Sequence, residues 1–100
     1  MDNYVVKLYP RAARDLDGIY AYIAKALREP GTALHLVTEL EDAILSLAQL
    51  PERGAPRRVG AYANGDNRQL FVKNYIILYR VKKAAHEVHV VTVQYGPRNF

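Results

Sequence analysis

The chain has 100 residues, half of them hydrophobic, which is enough for one domain with a single core. It contains no cysteine, so a disulfide framework and a cysteine-ligated zinc cluster are both excluded. The longest apolar run, around Ile76, is too short to span a membrane, and the N-terminal residues lack the basic start and apolar stretch of a signal peptide. We therefore expect a soluble, cytoplasmic protein with one domain covering residues 1–100.

Charge is divided unevenly along the chain, whose net charge is +4. Residues 1–50 hold five Lys/Arg against seven Asp/Glu, whereas residues 51–100 hold nine against three, so the two halves carry −2 and +6. A basic half on a small domain favours a polyanionic partner, either nucleic acid or an acidic protein segment. A solvated basic surface without such a partner has the same composition, so charge alone leaves both interpretations open.

The first half of the sequence predicts a strand followed by two helices. Residues Tyr4–Pro10 are rich in β-branched and aromatic side chains, and Pro10 suits the first turn of a helix. Two apolar stripes at helical spacing follow, separated by a break at residues 30–32. The stripes consist of Ala12, Leu16, Ile19, Tyr20, Ile23 and Leu27, and of Ala33, Leu36, Val37, Leu40, Ile44 and Leu47. Because their connection is so short, the two helices must lie antiparallel.

The second half predicts a three-stranded antiparallel meander. Residues 51–67 are rich in Gly, Pro and Arg and are typical of a loop, after which strands are expected at Arg68–Val72, Tyr75–Lys82 and Glu87–Tyr95. The first two strands are joined by a tight hairpin at Lys73 and Asn74, in which we expect Asn74 to adopt the left-handed backbone conformation. The whole order predicts an α+β fold: an N-terminal strand, an antiparallel helical hairpin, then the meander, with the hairpin packed on one sheet face.

Counting outward from the hairpin pairs residues across the first two meander strands. One face would hold the pairs Val72–Tyr75, Leu70–Ile77 and Arg68–Tyr79, and the other Phe71–Ile76, Gln69–Leu78 and Asn67–Arg80. Both faces are substantially apolar, yet one helical hairpin covers a single face. The second face therefore needs a cover, supplied either by a partner segment or by the 51–66 loop through Val59 and Tyr62.

Four segments match a known pattern in the right order. LYPRAARDLDGIYAYI contains the spaced residues Ala12, Asp15, Leu16, Ile19, Tyr22 and Ile23, and LAQLPERG contains Leu50, Pro51 and Gly54. RQLFVKNYIILYRV and the terminal VQYGPRNF supply the strand core and the ending. Together they resemble the ParE/RelE superfamily of toxins from bacterial type II toxin–antitoxin (plasmid stabilisation) modules. The resemblance covers nearly the whole chain and implies the same α+β fold.

The resemblance also implies a function and a partner. Toxins of this superfamily arrest bacterial growth and are neutralised by a co-expressed antitoxin. The antitoxin's extended and often acidic tail wraps the toxin and commonly adds a helix or a strand. Such a tail would cover the second sheet face and balance the charge of the basic half. Neither a cofactor nor a membrane partner is implied.

Members of the superfamily differ in target. RelE-like toxins cut messenger RNA in the ribosomal decoding site, whereas ParE-like toxins poison DNA gyrase and are not known to cleave nucleic acid themselves. RelE-like toxins place an arginine directly after the aromatic residue that starts the third strand, and here Ile76 follows Tyr75. The resemblance therefore favours ParE-like inhibition of gyrase, with a RelE-like, ribosome-dependent mRNA endonuclease as the alternative. Whether the chain is an enzyme stays open with that choice.

Candidate site residues follow from the same comparison. In a RelE-like enzyme, cations stabilise the phosphorane and a further side chain transfers the proton, which makes Arg68, Arg80, Tyr95 and Arg98 the catalytic candidates. For contact with nucleic acid or another target, the candidates are Arg68, Lys73, Arg80 and Arg98.

Other polar residues have simpler interpretations. The alternative role for Arg68 is stacking on Tyr79 as a cation–π pair, and Arg57 and Arg58 are expected on a solvated loop. His86 and His89 are too few for a metal site, because no third ligand lies near them in sequence.

Overall fold

Two helices and a five-stranded sheet make up the computed structural model, which describes residues 3–58, 60, 62–63 and 65–96. The elements are β1 (Val5–Leu8), α1 (Pro10–Ala21), a π-helical turn (Tyr22–Ala26), α2 (Pro30–Ser46), β2 (Ala55–Pro56), β3 (Asn67–Val72), β4 (Tyr75–Lys82), a 3₁₀ turn (Lys83–Ala85) and β5 (Glu87–Tyr95). The strand order in the sheet is β1-β5-β4-β3-β2. Within the described residues, no helix has the length and apolar character needed to cross a membrane.

The predicted α+β fold with its antiparallel meander is confirmed, and all six predicted pairs between β3 and β4 are present. The sheet is larger than expected, because β1 joins β5 in parallel, from Val5 opposite Glu87 to Leu8 opposite Val90. A short β2 also pairs with β3 inside the segment predicted as a loop. The prediction for the hairpin was wrong: Lys73, not Asn74, takes the left-handed conformation, with φ of 55°.

Both helices begin at a proline, where the missing N–H costs no hydrogen bond. They pack on one face of the sheet and bury most of the predicted stripes against it, although Tyr20 and Leu27 stay exposed. The core consists of Ala12, Leu16, Leu40, Ala43, Ile44 and Leu47 from the helical layer and Leu70, Ile77, Tyr79, Val88, Val90 and Val93 from the sheet. Each fully buried Leu or Ile contributes about 1.5–3 kcal/mol relative to an exposed side chain, so this layer contact stabilises most of the fold.

The sheet face turned away from the helices is here called the outer face. It carries Lys7, Arg57, Asn67, Gln69, Phe71, Ile76, Leu78, Arg80, Lys82, Glu87 and His89. At its centre Leu78 is fully buried and Ile76 is 5% exposed, whereas Phe71 is 61% exposed. Of the two covers that the sequence left open, the chain itself therefore supplies the one at the centre of the sheet.

Part of the cover comes from the segment that follows β2. Arg57, expected on a solvated loop, is buried; its backbone N–H donates to Asn67 O and its guanidinium to Gln69 Oε1 at 2.9 Å. The carbonyl oxygen of Tyr62 accepts a hydrogen bond from the Asn67 side chain. Val59, the other proposed cover, lies outside the described residues. The Gly- and Pro-rich composition of this segment hid its regular pairing with β3.

One edge of β5 is closed by two different elements. Parallel β1 pairs with the first half of the strand, as far as Val90. Beyond that point Asp15 of α1 takes over: its carboxylate accepts the backbone N–H of Val93 at 3.0 Å and the hydroxyl of buried Thr92. Because a buried backbone N–H without a partner is costly, Asp15 fixes where α1 lies along the sheet.

The turn at residues 52–54 is fixed from the helix side of the sheet. The buried hydroxyl of Tyr79 accepts the N–H of Gly54 at 2.8 Å. Arg68, the register partner of Tyr79, donates to the carbonyl oxygens of Glu52, at 3.2 Å, and Gly54. A Cβ at position 54 would lie 2.8 Å from the Tyr79 hydroxyl and against the Gln69 carbonyl. Only glycine leaves room for these contacts.

We predict that Gly54→Ala lowers the free energy of unfolding by about 1–3 kcal/mol, because the added methyl overpacks a site bounded by backbone. Gly18→Ala is the matched control, since nothing lies within 4 Å of its Cβ position in α1. That change should raise stability by up to about 1 kcal/mol through helix propensity. Urea unfolding measures both; equal midpoints for the two variants would contradict the close approach at Gly54.

Candidate functional site

An open groove of about 890 Å³ separates α1 from the end of β5. It is lined by Arg14, Asp15, Gly18, Ile19, Tyr22, Ile23, Leu27, Tyr75, Val93, Gln94 and Tyr95. Two of these side chains are unusually exposed for their type, Tyr22 at 59% and Leu27 at 50%. A concave, largely apolar surface with exposed aromatic and aliphatic side chains is typical of a site that receives another molecule.

The wall of the groove is formed by the π-helical turn. Wider hydrogen bonds mark its end, from Leu27 N–H to Tyr22 O at 3.2 Å and from Glu29 N–H to Ile23 O at 3.1 Å. The apolar spacing had predicted an uninterrupted first helix through Leu27, so periodicity alone did not reveal this turn. π-helical turns are rare and frequently occur at functional sites, which supports the assignment of function to the groove.

The floor of the groove is aromatic. Tyr75 and Tyr95 are register partners at the ends of β4 and β5, and their rings meet edge to face with centroids 5.4 Å apart. Tyr95, a predicted catalytic residue, is 41% exposed here. Arg14 adds a cation to the lining. The groove therefore suits an apolar segment that also carries a carboxylate.

The structure does not bring the two predicted strand arginines, Arg68 and Arg80, together. Arg68 lies on the helix side of the sheet, where it contacts the backbone oxygens of the 52–54 turn, and no stacking on Tyr79 is found. Arg80 lies on the outer face, with Nε donating to Asn67 Oδ1 at 3.0 Å. Arg68 and Arg80 thus occupy opposite faces of the sheet.

The remaining predicted residues lie elsewhere again. Lys73 is at the β3–β4 hairpin, with Nζ 3.9 Å from Glu39 Oε1 and a side chain 62% exposed. It shares that end of the sheet with Tyr95, whereas Arg80 is near the other end of β4. Arg98 lies outside the described residues. The structure therefore does not bring Arg68, Lys73, Arg80 and Tyr95 into one site.

A polar network on the outer face was missed by the sequence analysis. His89 Nε2 is 2.8 Å from Glu87 Oε1, and its Nδ1 is 3.2 Å from the hydroxyl of Tyr9. Lys7 Nζ lies 2.8 Å from the other oxygen of Glu87. Both strands alternate polar and apolar residues here, as in Glu87-Val88-His89, and that period of two was the available signal.

The hydrogen bond from Lys7 holds the pKa of Glu87 below its ordinary value of 4.5, and His89 acts in the same direction. His86 takes no part in this network, since its ring stacks on Tyr4 with centroids 5.1 Å apart. Among the described residues, no group of three or more His, Cys, Asp or Glu side chains is placed to hold a metal ion.

The chain matches the family described as "ParE toxin of type II toxin-antitoxin system, parDE" over residues 6–100. It belongs to the ParE toxin family. It is also 34% identical over 92 residues to "Putative toxin Y4kP" of Sinorhizobium fredii (strain NBRC 101917 / NGR234), which covers 90% of this chain and 85% of that relative. The resemblance seen in the sequence is thereby confirmed, and the chain is a toxin of a type II toxin–antitoxin system.

Solved structures of related systems share the fold. A chain of the "Chromosomal ParDE TA system from P. aeruginosa" superimposes with a TM-score of 0.75 at 26% identity, covering 92% of this ParE-family chain and 95% of the other. A chain of the RelBE2 toxin–antitoxin complex of Mycobacterium tuberculosis gives a TM-score of 0.62 at 22% identity, covering 93% of this chain and 98% of the other. A mutant of the free E. coli RelE toxin gives a TM-score of 0.64 at 13% identity, covering 95% of this chain and 85% of the other. The last two similarities concern the fold alone.

The outer-face network predicts a pH dependence of stability. Because the folded-state pKa of Glu87 is lowered, its ionised form stabilises the fold above the ordinary pKa of 4.5, and this contribution is lost as the pH falls through the folded-state value. We expect the stability difference between the ParE-family toxin and its Glu87→Gln variant to shrink as the pH falls below about 4.5.

Urea unfolding at several acidic pH values measures this difference. Lys7→Met is the control background, since Lys7 is the main cause of the shift, and there the pH dependence of the Glu87→Gln effect should be much weaker. A stability difference that stays constant across the acidic range would contradict the interaction.

Proposed function

We propose that this ParE-family toxin arrests growth by inhibiting DNA gyrase in the cytoplasm, and that its antitoxin binds the groove between α1 and β5. The observation that carries the choice of target is the environment of Ile76. This residue follows Tyr75 at the start of β4, the place at which RelE-like toxins are expected to carry an arginine, and it is only 5% exposed. A buried isoleucine offers no charge to a phosphorane, which argues against RNA cleavage here.

The placement of the other candidates supports the same choice. Ribonuclease chemistry needs cations and a proton-transfer group within reach of a single phosphate. Arg68 is committed to the 52–54 turn, Arg80 lies on the outer face and Tyr95 lies in the groove. A non-catalytic toxin does not require them to converge. Lys73, Arg80 and Arg98 stay candidates for contact with the target rather than for chemistry.

We predict that the purified toxin inhibits supercoiling of relaxed plasmid by gyrase and causes broken DNA to accumulate, because a gyrase poison traps the enzyme on DNA. Adding the antitoxin encoded beside the toxin before the gyrase should abolish both effects. After induction in cells, messages should stay uncut at codon positions. Unaffected gyrase together with codon-positioned mRNA cuts would instead establish the RelE-like endonuclease.

The groove is the better location for the antitoxin because the outer face is closed at its centre. Tyr22 and Leu27 expose apolar surface beside the aromatic floor formed by Tyr75 and Tyr95. Arg14 offers a cation to an acidic residue of the bound segment. Antitoxin binding would bury this surface, and burial of apolar area supplies much of the free energy of association.

We predict that the double variant Tyr22→Ala/Leu27→Ala weakens antitoxin binding by about 10–1,000-fold, as loss of two buried anchors usually costs a few kcal/mol. Leu45→Ala is the matched control, since Leu45 is 63% exposed on α2 and does not line the groove. Titration calorimetry with the adjacent antitoxin measures the affinity. If the control weakens binding as much as the double variant, the groove is not the antitoxin site.

A further inference from the structure

A single row of polar side chains crosses the outer face from one edge of the sheet to the other. Backbone register aligns Lys7 of β1 with His89 of β5, His89 with Arg80 of β4, and Arg80 with Asn67 of β3. Arg57 continues the row past β2, since its backbone N–H donates to Asn67 O. Neighbouring strands lie about 4.8 Å apart, so the row is roughly 19 Å long.

The row lies in a positively charged part of the face. Lys82 stands two residues beyond Arg80 on the same side of β4, so the row and its neighbour together carry four cations, Lys7, Arg57, Arg80 and Lys82. Among the described residues of this part of the face, Glu87 is the carboxylate beside the accessible cations Lys7, Arg80 and Lys82, so these four side chains carry a net charge of +2. The helical layer is opposite in sign, since residues 10–46 hold four Lys/Arg and six Asp/Glu. A polyanion is therefore attracted to the outer face and repelled by the helices.

The charged groups are held in place by hydrogen bonds. The Asn67 side chain fixes the Nε of Arg80, and the guanidinium's two outer nitrogens make no hydrogen bond to the described residues. Glu87 holds Lys7, whose side chain is still 55% exposed. A guanidinium fixed at Nε presents a two-pronged donor edge, which matches the paired oxygens of a phosphate group.

Within the part of the chain that the structure describes, the row offers charge and hydrogen bonds without a stacking surface. Tyr9 contacts the row through its hydroxyl, which is engaged with His89, and the exposed Phe71 lies four residues further along β3 than Asn67. Unpaired nucleotides are usually bound through aromatic stacking, whereas paired DNA is held sequence-independently through its phosphates. A flat cationic row therefore favours the duplex.

We propose that the outer-face row binds the sugar–phosphate backbone of duplex DNA. This activity goes beyond the proposed inhibition of gyrase and does not depend on it, because the DNA is the ligand and no gyrase takes part in binding. Its three most accessible cations, Lys7, Arg80 and Lys82, are expected to replace about three counterions. The logarithm of the association constant should then fall with log salt at a slope of roughly −2.7.

Fluorescence anisotropy with a labelled random-sequence DNA duplex, titrated at several salt concentrations, tests the proposal. Arg80→Gln/Lys82→Gln should make the salt slope shallower by about 1.8, the value for two phosphate contacts. Lys25→Gln/Arg28→Gln, which removes the same charge from the helical layer, should leave the slope within about 0.5 of the parent. Equal unfolding midpoints for the parent and the two double variants show that the fold is intact. The charge-conserving variant Arg80→Lys/Lys82→Arg should keep the parent's salt slope, which shows that the loss in Arg80→Gln/Lys82→Gln comes from the missing charges.

Three outcomes would overturn the proposal. Equal loss of slope in both double variants would mean that total charge, not the row, determines binding. If the row bound a single-stranded RNA more tightly than the duplex, the ligand would be RNA and not duplex DNA. If it bound a poly-glutamate peptide more tightly than the duplex, the row would be a protein-binding surface. Gyrase inhibition is measured separately with the unmodified protein, whereas the DNA titration contains no gyrase, so failure of either proposal is visible without the other.

Discussion

The carboxylate of Asp15 is the contact on which the arrangement of the functional surfaces depends. It accepts the N–H of Val93 at the point where β1 no longer covers the edge of β5. The helical layer is thereby locked in position along the strand, and the core residues of α1 meet the sheet. Asp15 also lines the groove, so this contact lies where α1 and the end of β5 meet its lining.

The two faces of the sheet are used differently. The helix-side face forms the core and, through Tyr79 and Arg68, fixes the turn at residues 52–54. The outer face combines a buried apolar centre with a cationic row at one end. The groove lies beside the sheet, on the helical side of β5. A toxin built in this way can be held by its antitoxin at the groove while the cationic row stays on a separate surface.

Much of the fold could be predicted from the sequence because its signals are local. Helical spacing, Pro10 at the start of the first helix and the tight turn at Lys73 and Asn74 determined the helices and the register of β3 with β4. Pro30, which was assigned to the break between the helices, instead begins α2. The sequence did not reveal the pairing of β1 with β5 or the burial of Arg57, since both depend on residues far apart in the chain. The register counted from the hairpin already placed Arg68 and Arg80 on opposite faces of the sheet, and the structure confirms this.

The candidate site was harder to predict for the same reason. The groove joins residues of α1 to residues near the end of β5, and its π-helical turn interrupts a spacing that otherwise looks regular. The outer-face row takes one residue from each of several strands, so no short motif contains it. The candidate arginines were chosen because related toxins carry arginine at similar positions. Such a resemblance predicts the type of side chain but not which side chains meet in the folded protein.

The parallel pairing of the first strand with the last has a consequence for synthesis of the protein. Tyr9 and His89, which meet across this pairing, are separated by 80 positions in the chain. The emerging polypeptide cannot complete its sheet until β5 has left the ribosome, because the long loop between the two strands must close before their contacts can stabilise it. A nascent chain therefore stays incompletely folded during translation, and the assembled toxin exists only once its last strand is made.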